Sequence, residues 1–185
     1  MKLSIQRAGI ERLDELAPLW AEMQAHHESV APATLTGDVT RFRDHDGSWK
    51  RRRALYESWF ATGSAVLHVA EATDGRLGGY AMVRLGSGGW SQLDTPEAVA
   101  EIESLSVGRE HRGRGLGSRL IAAVHADLRE RGIELLTLAV FAGNEPAARL
   151  YARFGMQPVL TTLIGRVPDA GPTPSEGDPQ ARSRG

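Results

Sequence analysis

Ser104-Leu105-Ser106-Val107-Gly108-Arg109-Glu110-His111-Arg112-Gly113-Arg114-Gly115-Leu116-Gly117-Ser118 is the stretch on which the fold turns. A short apolar segment ends in a basic, glycine-dense loop, and a helix-patterned segment follows at once. Glycines at 113, 115 and 117 remove side chains where a ligand would approach the backbone. The helix that follows turns its free N–H groups and the positive end of its dipole into that loop. This order of parts makes a phosphate site.

The spacing excludes two common phosphate binders. A Walker loop needs Gly-Lys-Ser/Thr after four intervening residues, and no lysine lies nearby. A dinucleotide fingerprint is Gly-x-Gly-x-x-Gly, whereas this loop reads Gly-x-Gly-x-Gly. What it does carry is Arg-x-x-Gly-x-Gly, from Arg112 through Gly115 to Gly117.

Outward from the loop, the pattern predicts alternating elements. Val99 to Val107 reads as the strand entering it, and Gly115 to Arg131 as the helix leaving it, with Leu116, Leu120, Val124 and Leu128 every four residues. Gly132 closes that helix. Leu135 to Phe141 is a continuous apolar run, expected of a strand covered on both faces. Asn144 caps the next helix, Pro146 lies in its first turn and Gly155 ends it. Val159 to Val167 reads as a last strand. From Pro168 onward the composition is that of a disordered tail.

Upstream, Leu3 to Gln6 reads as a strand. Ile10 to His27 has helical spacing interrupted by Pro18, which predicts a kink or a break. Ser48 to Thr62 reads as a helix. Ala65–Glu71 and Leu77–Leu85 are strands joined at Asp74-Gly75, a hairpin signal. The predicted order is β-α-α-β-β-β-α-β-α-β. The fold class is α/β: a mixed sheet with helices on both faces.

The chain of 185 residues fits one domain, over residues 1–167, ahead of the tail at 168–185. A net charge of −1 gives no global basic field for nucleic acid. With no cysteine there is no thiolate nucleophile or thiolate metal site. The adjacent His26 and His27 cannot share one helix face, and no metal spacing appears, so no metal is expected. Neither a signal-peptide core nor an 18-residue apolar run occurs, which predicts a cytoplasmic protein with no membrane partner.

A second motif lies after the 135–141 run: Asn144-x-x-Ala147-x-x-Leu150-Tyr151-x-x-Phe154-Gly155-Met156. Together with Arg112-x-x-Gly115-x-Gly117 and the order of elements, it resembles the GCN5-related N-acetyltransferase (GNAT) superfamily over residues 3–167. Met156 stands where the family usually has phenylalanine. The resemblance implies a mostly antiparallel sheet with one splayed parallel strand pair. It implies acetyl-CoA as cosubstrate. The pantetheine arm would lie along Leu105, Ser106 and Val107. The pyrophosphate would lie on Arg112, Gly113, Arg114, Gly115, Leu116, Gly117 and Ser118, and Asn144 near the sulfur. A small-molecule or peptide amine would be the acceptor. Homodimers are usual in the family, although the sequence shows no marked exposed stripe.

Acetyl transfer to an amine needs a neutral amine, a stabilised oxyanion and a proton for the leaving thiolate. Tyr151 is the candidate acid and the Val107 N–H the candidate oxyanion donor. Glu103 and Glu101, on one strand face by alternation, are the candidate bases.

Each assignment has a plainer competitor. Tyr151 fits an amphipathic packing role, and Glu103 an ion pair with an arginine. Asn144 is first a helix cap. Arg112 and Arg114 compete as solvated loop charges, while Arg109 and His111 read as surface residues. Lys50-Arg51-Arg52-Arg53 reads as a solvated helix face, and Trp20, Trp49 and Trp59 as core. Trp90, in a glycine-rich loop, is a candidate for the acceptor pocket. The leading function is direct acetyl transfer. A non-catalytic acyl-CoA-binding domain and a nucleotide-binding protein are the rivals.

Overall fold

The computed structural model describes residues 3–32, 40–86, 94–96 and 98–167. Five strands, β1 (Leu3–Ala8), β2 (Ala65–Ala72), β3 (Leu77–Leu85), β4 (Val99–Val107) and β5 (Leu135–Leu138), form one sheet in chain order. The first four pair antiparallel, and β4 pairs with β5 in parallel. Among the described residues four α-helices accompany them: α1 (Ala17–Val30), α2 (His45–Ala61), α3 (Leu116–Glu130) and α4 (Glu145–Ala152). A mixed, mostly antiparallel sheet with one parallel pair is the architecture that the resemblance implies.

Local chemistry sets most boundaries. The periodic run from Ile10 breaks as expected: a 3₁₀ segment, Ile10–Leu16, precedes α1, which takes Pro18 into its first turn. Helix α2 begins at His45, ahead of the predicted Ser48, because the Asp44 carboxylate accepts from the Gly47 N–H at 2.7 Å. Gly75, at φ 84°, turns the β2–β3 hairpin. Asn144 caps α4 by accepting from the Ala147 N–H at 3.3 Å.

The sheet is covered on both faces. On one, Leu116, Leu120, Val124 and Leu128 of α3 bury against Leu3, Val66, Ala81, Val83, Ala100 and Ile102. On the other, Leu13, Leu16, Leu19 and Tyr56 bury against Leu67, Val69, Tyr80 and Met82. Ala100 and Ile102 belong to the α3 face, yet so do Leu105 and Val107. The parity changes because β4 carries a bulge. Met82 pairs with Ser104 and Val83 with Ile102, so Glu103 has no partner on β3. Glu103 and Ser104 therefore both turn toward α1 and α2.

Two strand expectations need correction. β5 ends at Leu138 instead of Phe141, and all four of its residues are half-buried although the apolar run suggested cover on both faces. The last strand does not form. Residues 158–167 belong to none of the five strands, and Val159, Leu160, Leu163, Ile164 and Val167 are 61%, 69%, 88%, 61% and 93% exposed. Strand propensity is mostly cross-strand packing, so composition alone does not make this segment a strand. The tail expectation over 168–185 and the assignment of Trp90 lie outside the described residues.

Candidate active site

β4 and β5 part company half-way along β4. Their register runs from Val99↔Leu135 to Ile102↔Leu138 and stops, while β4 continues to Val107 against β3. The Gly108 N–H donates to the Gly78 carbonyl at 2.9 Å. By the two-residue alternation of an antiparallel ladder, Leu105 and Val107 then aim their N–H and C=O groups away from β3, into the gap. Ser106 is turned the other way. Its backbone faces β3, and its buried hydroxyl donates to the Leu19 carbonyl at 2.8 Å, docking α1 on the sheet.

The gap opens into a cleft of about 940 Å³. Leu105, Ser106, Val107, Arg112, Gly113, Gly115, Leu116, Gly117, Ser118, Asn144, Tyr151, Glu101 and Glu103 all line it. Arg114 is exposed and does not. At the loop, Gly113 and Gly115 hold φ of 69° and 77°, values that L side chains rarely adopt. Gly117 is needed for space: a Cβ there would sit 3.1 Å from Leu150 Cδ2. The first amides of α3 have no intrahelical acceptor and point into the loop. Arg112 folds back: its Nε donates to the Val107 carbonyl at 2.9 Å, and Nη2 lies 3.5 Å from Glu22. The same Glu22 carboxylate accepts from the Arg109 N–H at 2.7 Å. Arg112 thus ties the loop to the end of β4.

The other end of the cleft is charged and aromatic. Glu103 Oε2 accepts from Arg52 at 3.3 Å, and its Oε1 lies 3.6 Å from Arg84. Glu101 is held above the usual carboxylate range by burial first and by the Glu103 charge second, against the pull of Arg84 and Arg52. Tyr151 is half-buried, and desolvation pushes its phenol up to about 12. Asn144 is 6% exposed, and its Oδ1 lies 3.3 Å from His26 Nε2, which links α4 to α1.

Several lining residues escaped the sequence reading. Arg52 is no solvated charge: its guanidinium sits over the Trp20 ring at 4.9 Å and the Tyr56 ring at 5.8 Å. Helix α2 turns Arg52 and Tyr56, four residues apart, toward the sheet, while Lys50 and Arg51 stay outside. Trp20 is wall as well as core, and Met23 and His27 continue its stripe. The helical recurrence 16, 19/20, 23, 27 was the available signal. His26 and His27, expected on different faces as neighbours in the chain, both border the cleft, with ring centroids 6.3 Å apart. His27 is lowered by burial, then by His26 and Arg52, and packs on Phe141 at 4.9 Å. His111 also lines the cleft, where a surface place was expected. Among the described residues no group of three side chains is placed to hold a metal.

The family model described as acetyltransferase (GNAT) family matches residues 34–156. A mycothiol acetyltransferase of Rhodococcus jostii is 31% identical over 131 residues, 68% of this chain and 42% of that protein. A putative [ribosomal protein bS18]-alanine N-acetyltransferase of Bacillus subtilis is 35% identical over 85 residues, 46% of this chain and 50% of that one. The chain thus spans half or less of each. Among solved structures, an acetyltransferase from Clostridium acetobutylicum crystallised with acetyl-CoA has a TM-score of 0.64 at 16% identity, covering 89% of this chain and 96% of its own. At that identity the likeness is one of fold. The sequence match over two thirds of the chain carries further, and this protein belongs to the GNAT acetyltransferase family.

Proposed function

We propose that the chain transfers an acetyl group from acetyl-CoA to a primary amine of a small molecule or peptide, by direct attack of the amine. The observation that carries this reading is the unpaired edge of β4 at Leu105 and Val107. It runs without interruption into the amides of the glycine loop and stands in one cleft with Tyr151 and two glutamates. An extended chain with amides can bond to such an edge as an added strand. The loop amides and the N-terminus of α3 suit a pyrophosphate. Acetyl-CoA supplies both, with a thioester at its end.

The residues divide the work. The Val107 N–H donates to the thioester carbonyl oxygen, where negative charge develops. Tyr151, protonated at every physiological pH, donates its O–H to the departing sulfur. Glu101, with its raised carboxyl, accepts a proton from the incoming ammonium. Glu103, held between Arg52 and Arg84, places beside Glu101 the negative charge that helps raise its carboxyl. Trp20, Met23 and Phe141 give the acceptor end an apolar wall.

The names of the relatives suggest two acceptors to try first: the amine acetylated by a mycothiol acetyltransferase, and a peptide beginning with alanine. The test is thiol release from acetyl-CoA with these and a panel of simple primary amines. Amine-dependent release above the hydrolysis rate is expected. Tight acetyl-CoA binding with no release from any amine would favour a non-catalytic acyl-CoA-binding domain, and absence of binding would overturn the assignment.

A further inference from the structure

We infer that His26 is a positioning residue: by donating to Asn144 it sets α4, and through α4 the Tyr151 hydroxyl, against the cleft. The inference rests on the acid role proposed for Tyr151.

Helix α4 needs support from outside. None of its eight residues is fully buried. Its Leu150 lies over Gly117 of α3, and beyond its end Phe154 meets His125 edge-on at 5.5 Å. Glu145 and Arg149 pair with each other on an exposed face. What is buried is the cap, Asn144.

That support is α1. The loop ahead of α4 touches α1 at three places. Phe141 packs on His27 at 4.9 Å. At Gly143 an added Cβ would collide with the Val30 carbonyl oxygen, so the loop lies directly on the end of α1. Asn144 Oδ1 lies 3.3 Å from His26 Nε2. Helix α1 is itself fixed to β4, where the Ser106 hydroxyl donates to the Leu19 carbonyl. The route runs from β4 through Leu19 and His26 to Asn144, then seven residues along α4 to Tyr151, roughly 10 Å at the rise of a helix. Val107, whose N–H is the proposed oxyanion donor, follows Ser106 directly. Both proposed donors thus take their place from α1.

The direction of the His26 bond follows from its partners. Asn144 Oδ1 already accepts from the Ala147 N–H, so it accepts from the imidazole too, and His26 Nε2 carries the hydrogen. Without His26, Asn144 keeps its cap bond, so α4 should still form and lose only its aim. A misplacement of about 1 Å can cost roughly 100-fold in rate.

His26 also borders the cleft, so direct proton transfer by its ring is the competing role. His26→Ala is expected to lower turnover roughly 10- to 100-fold, with acetyl-CoA affinity and the amine KM within a few-fold. Glutamine places an amide N–H as many bonds from Cα as Nε2, so His26→Gln should restore most of the rate. His26→Asn, one bond shorter, should not. In Tyr151→Phe, adding His26→Ala should cost little more, because both changes act at one hydroxyl. Unchanged turnover in His26→Ala would overturn the inference. So would a glutamine variant as slow as the alanine one, which would make the imidazole itself the acting group, and so would a full further loss in Tyr151→Phe. Amide exchange over residues 149–152, read without acetyl-CoA, keeps the test separate from the activity. Even if no amine is acetylated, exchange there should be at least about tenfold faster in His26→Ala than in wild type or His26→Gln. Equal exchange in all three would overturn the inference.

Discussion

Arg52 Nη1 lies 3.3 Å from Glu103 Oε2, and the pair forms the charged wall of the cleft beside Glu101. Arg52 is the nearer of two cations on Glu103, Arg84 being the other at 3.6 Å. Glu101 feels all three charges: Glu103 raises its carboxyl, and Arg84 and Arg52 lower it, with burial the largest influence.

This fixes the signs of three shifts. A base must be ionised to work, so with Glu101 in the proposed role the rate should rise with pH through its raised pKa. Glu101→Gln should abolish that acidic limb in kcat/KM. Glu103→Gln removes a like charge and should move the limb to lower pH. Arg52→Gln removes an opposite charge and should move it to higher pH. A limb unaltered in Glu101→Gln would assign it to the acceptor's own ammonium.

Tyr151→Phe removes a hydroxyl and keeps the ring. Acetyl-CoA affinity should stay within a few-fold, and turnover should fall by about 10- to 1000-fold. The loss should shrink with an acyl donor whose leaving thiol is more acidic. With its phenol near 12, the wild type should show no loss of activity up to about pH 10 from this group. Unchanged turnover with a slow leaving group would make Tyr151 a packing residue.

The two loop glycines should fail for different reasons. Gly115→Asp places an L residue at φ 77° and a carboxylate beside the phosphate position. Gly117→Asp meets Leu150 Cδ2 at 3.1 Å and presses on α4. Both should weaken acetyl-CoA binding by at least about 2 kcal/mol in calorimetry. Gly117→Ala should lower turnover more than Gly115→Ala, because its contact leads to the helix of Tyr151. Equal turnover in the two alanine variants would deny that coupling.

Away from the cleft, His68 is buried, with Nε2 3.2 Å from Asp127 Oδ2, and Asp127 also binds Arg7 and Arg131. Burial lowers the His68 pKa, Asp127 opposes it, and the two arginines add to the lowering. The unfolded chain therefore binds the proton first as pH falls through about 6.5, and stability drops from there toward the lower folded pKa. His27 and His125 are lowered too and act with the same sign. His68→Gln should flatten the fall of melting temperature between about pH 6.5 and 5 without abolishing it. An unchanged slope would remove His68 from the acid response.

What the sequence reveals is what local chemistry decides. Asn144, Pro146 and Gly155 bound α4 by capping and backbone preference alone, and the period of α3 and the Asp74-Gly75 turn are equally local. The glycine loop is legible because its conformation needs those residues. What hides is set by partners distant in the chain. Arg52 looks solvated until Trp20 and Glu103 arrive, 32 residues before it and 51 after. The β4 bulge depends on β3, and nothing in Val99–Val107 announces it. The run 159–167 has a strand's composition, and composition does not supply a strand to pair with.

The bulge at Glu103 makes β4 two half-strands in opposite phase. Before it, odd positions present acids to the cleft. After it, even positions present small hydroxyls, Ser104 to Tyr56 and Ser106 to Leu19, that anchor α2 and α1. Residue types can therefore drift in one half without changing what the other half shows. Deleting a single residue there would turn Leu105 and Val107 onto α1 and push the serines into the oily side. Nine residues of one strand thus carry two faces in two independent frames.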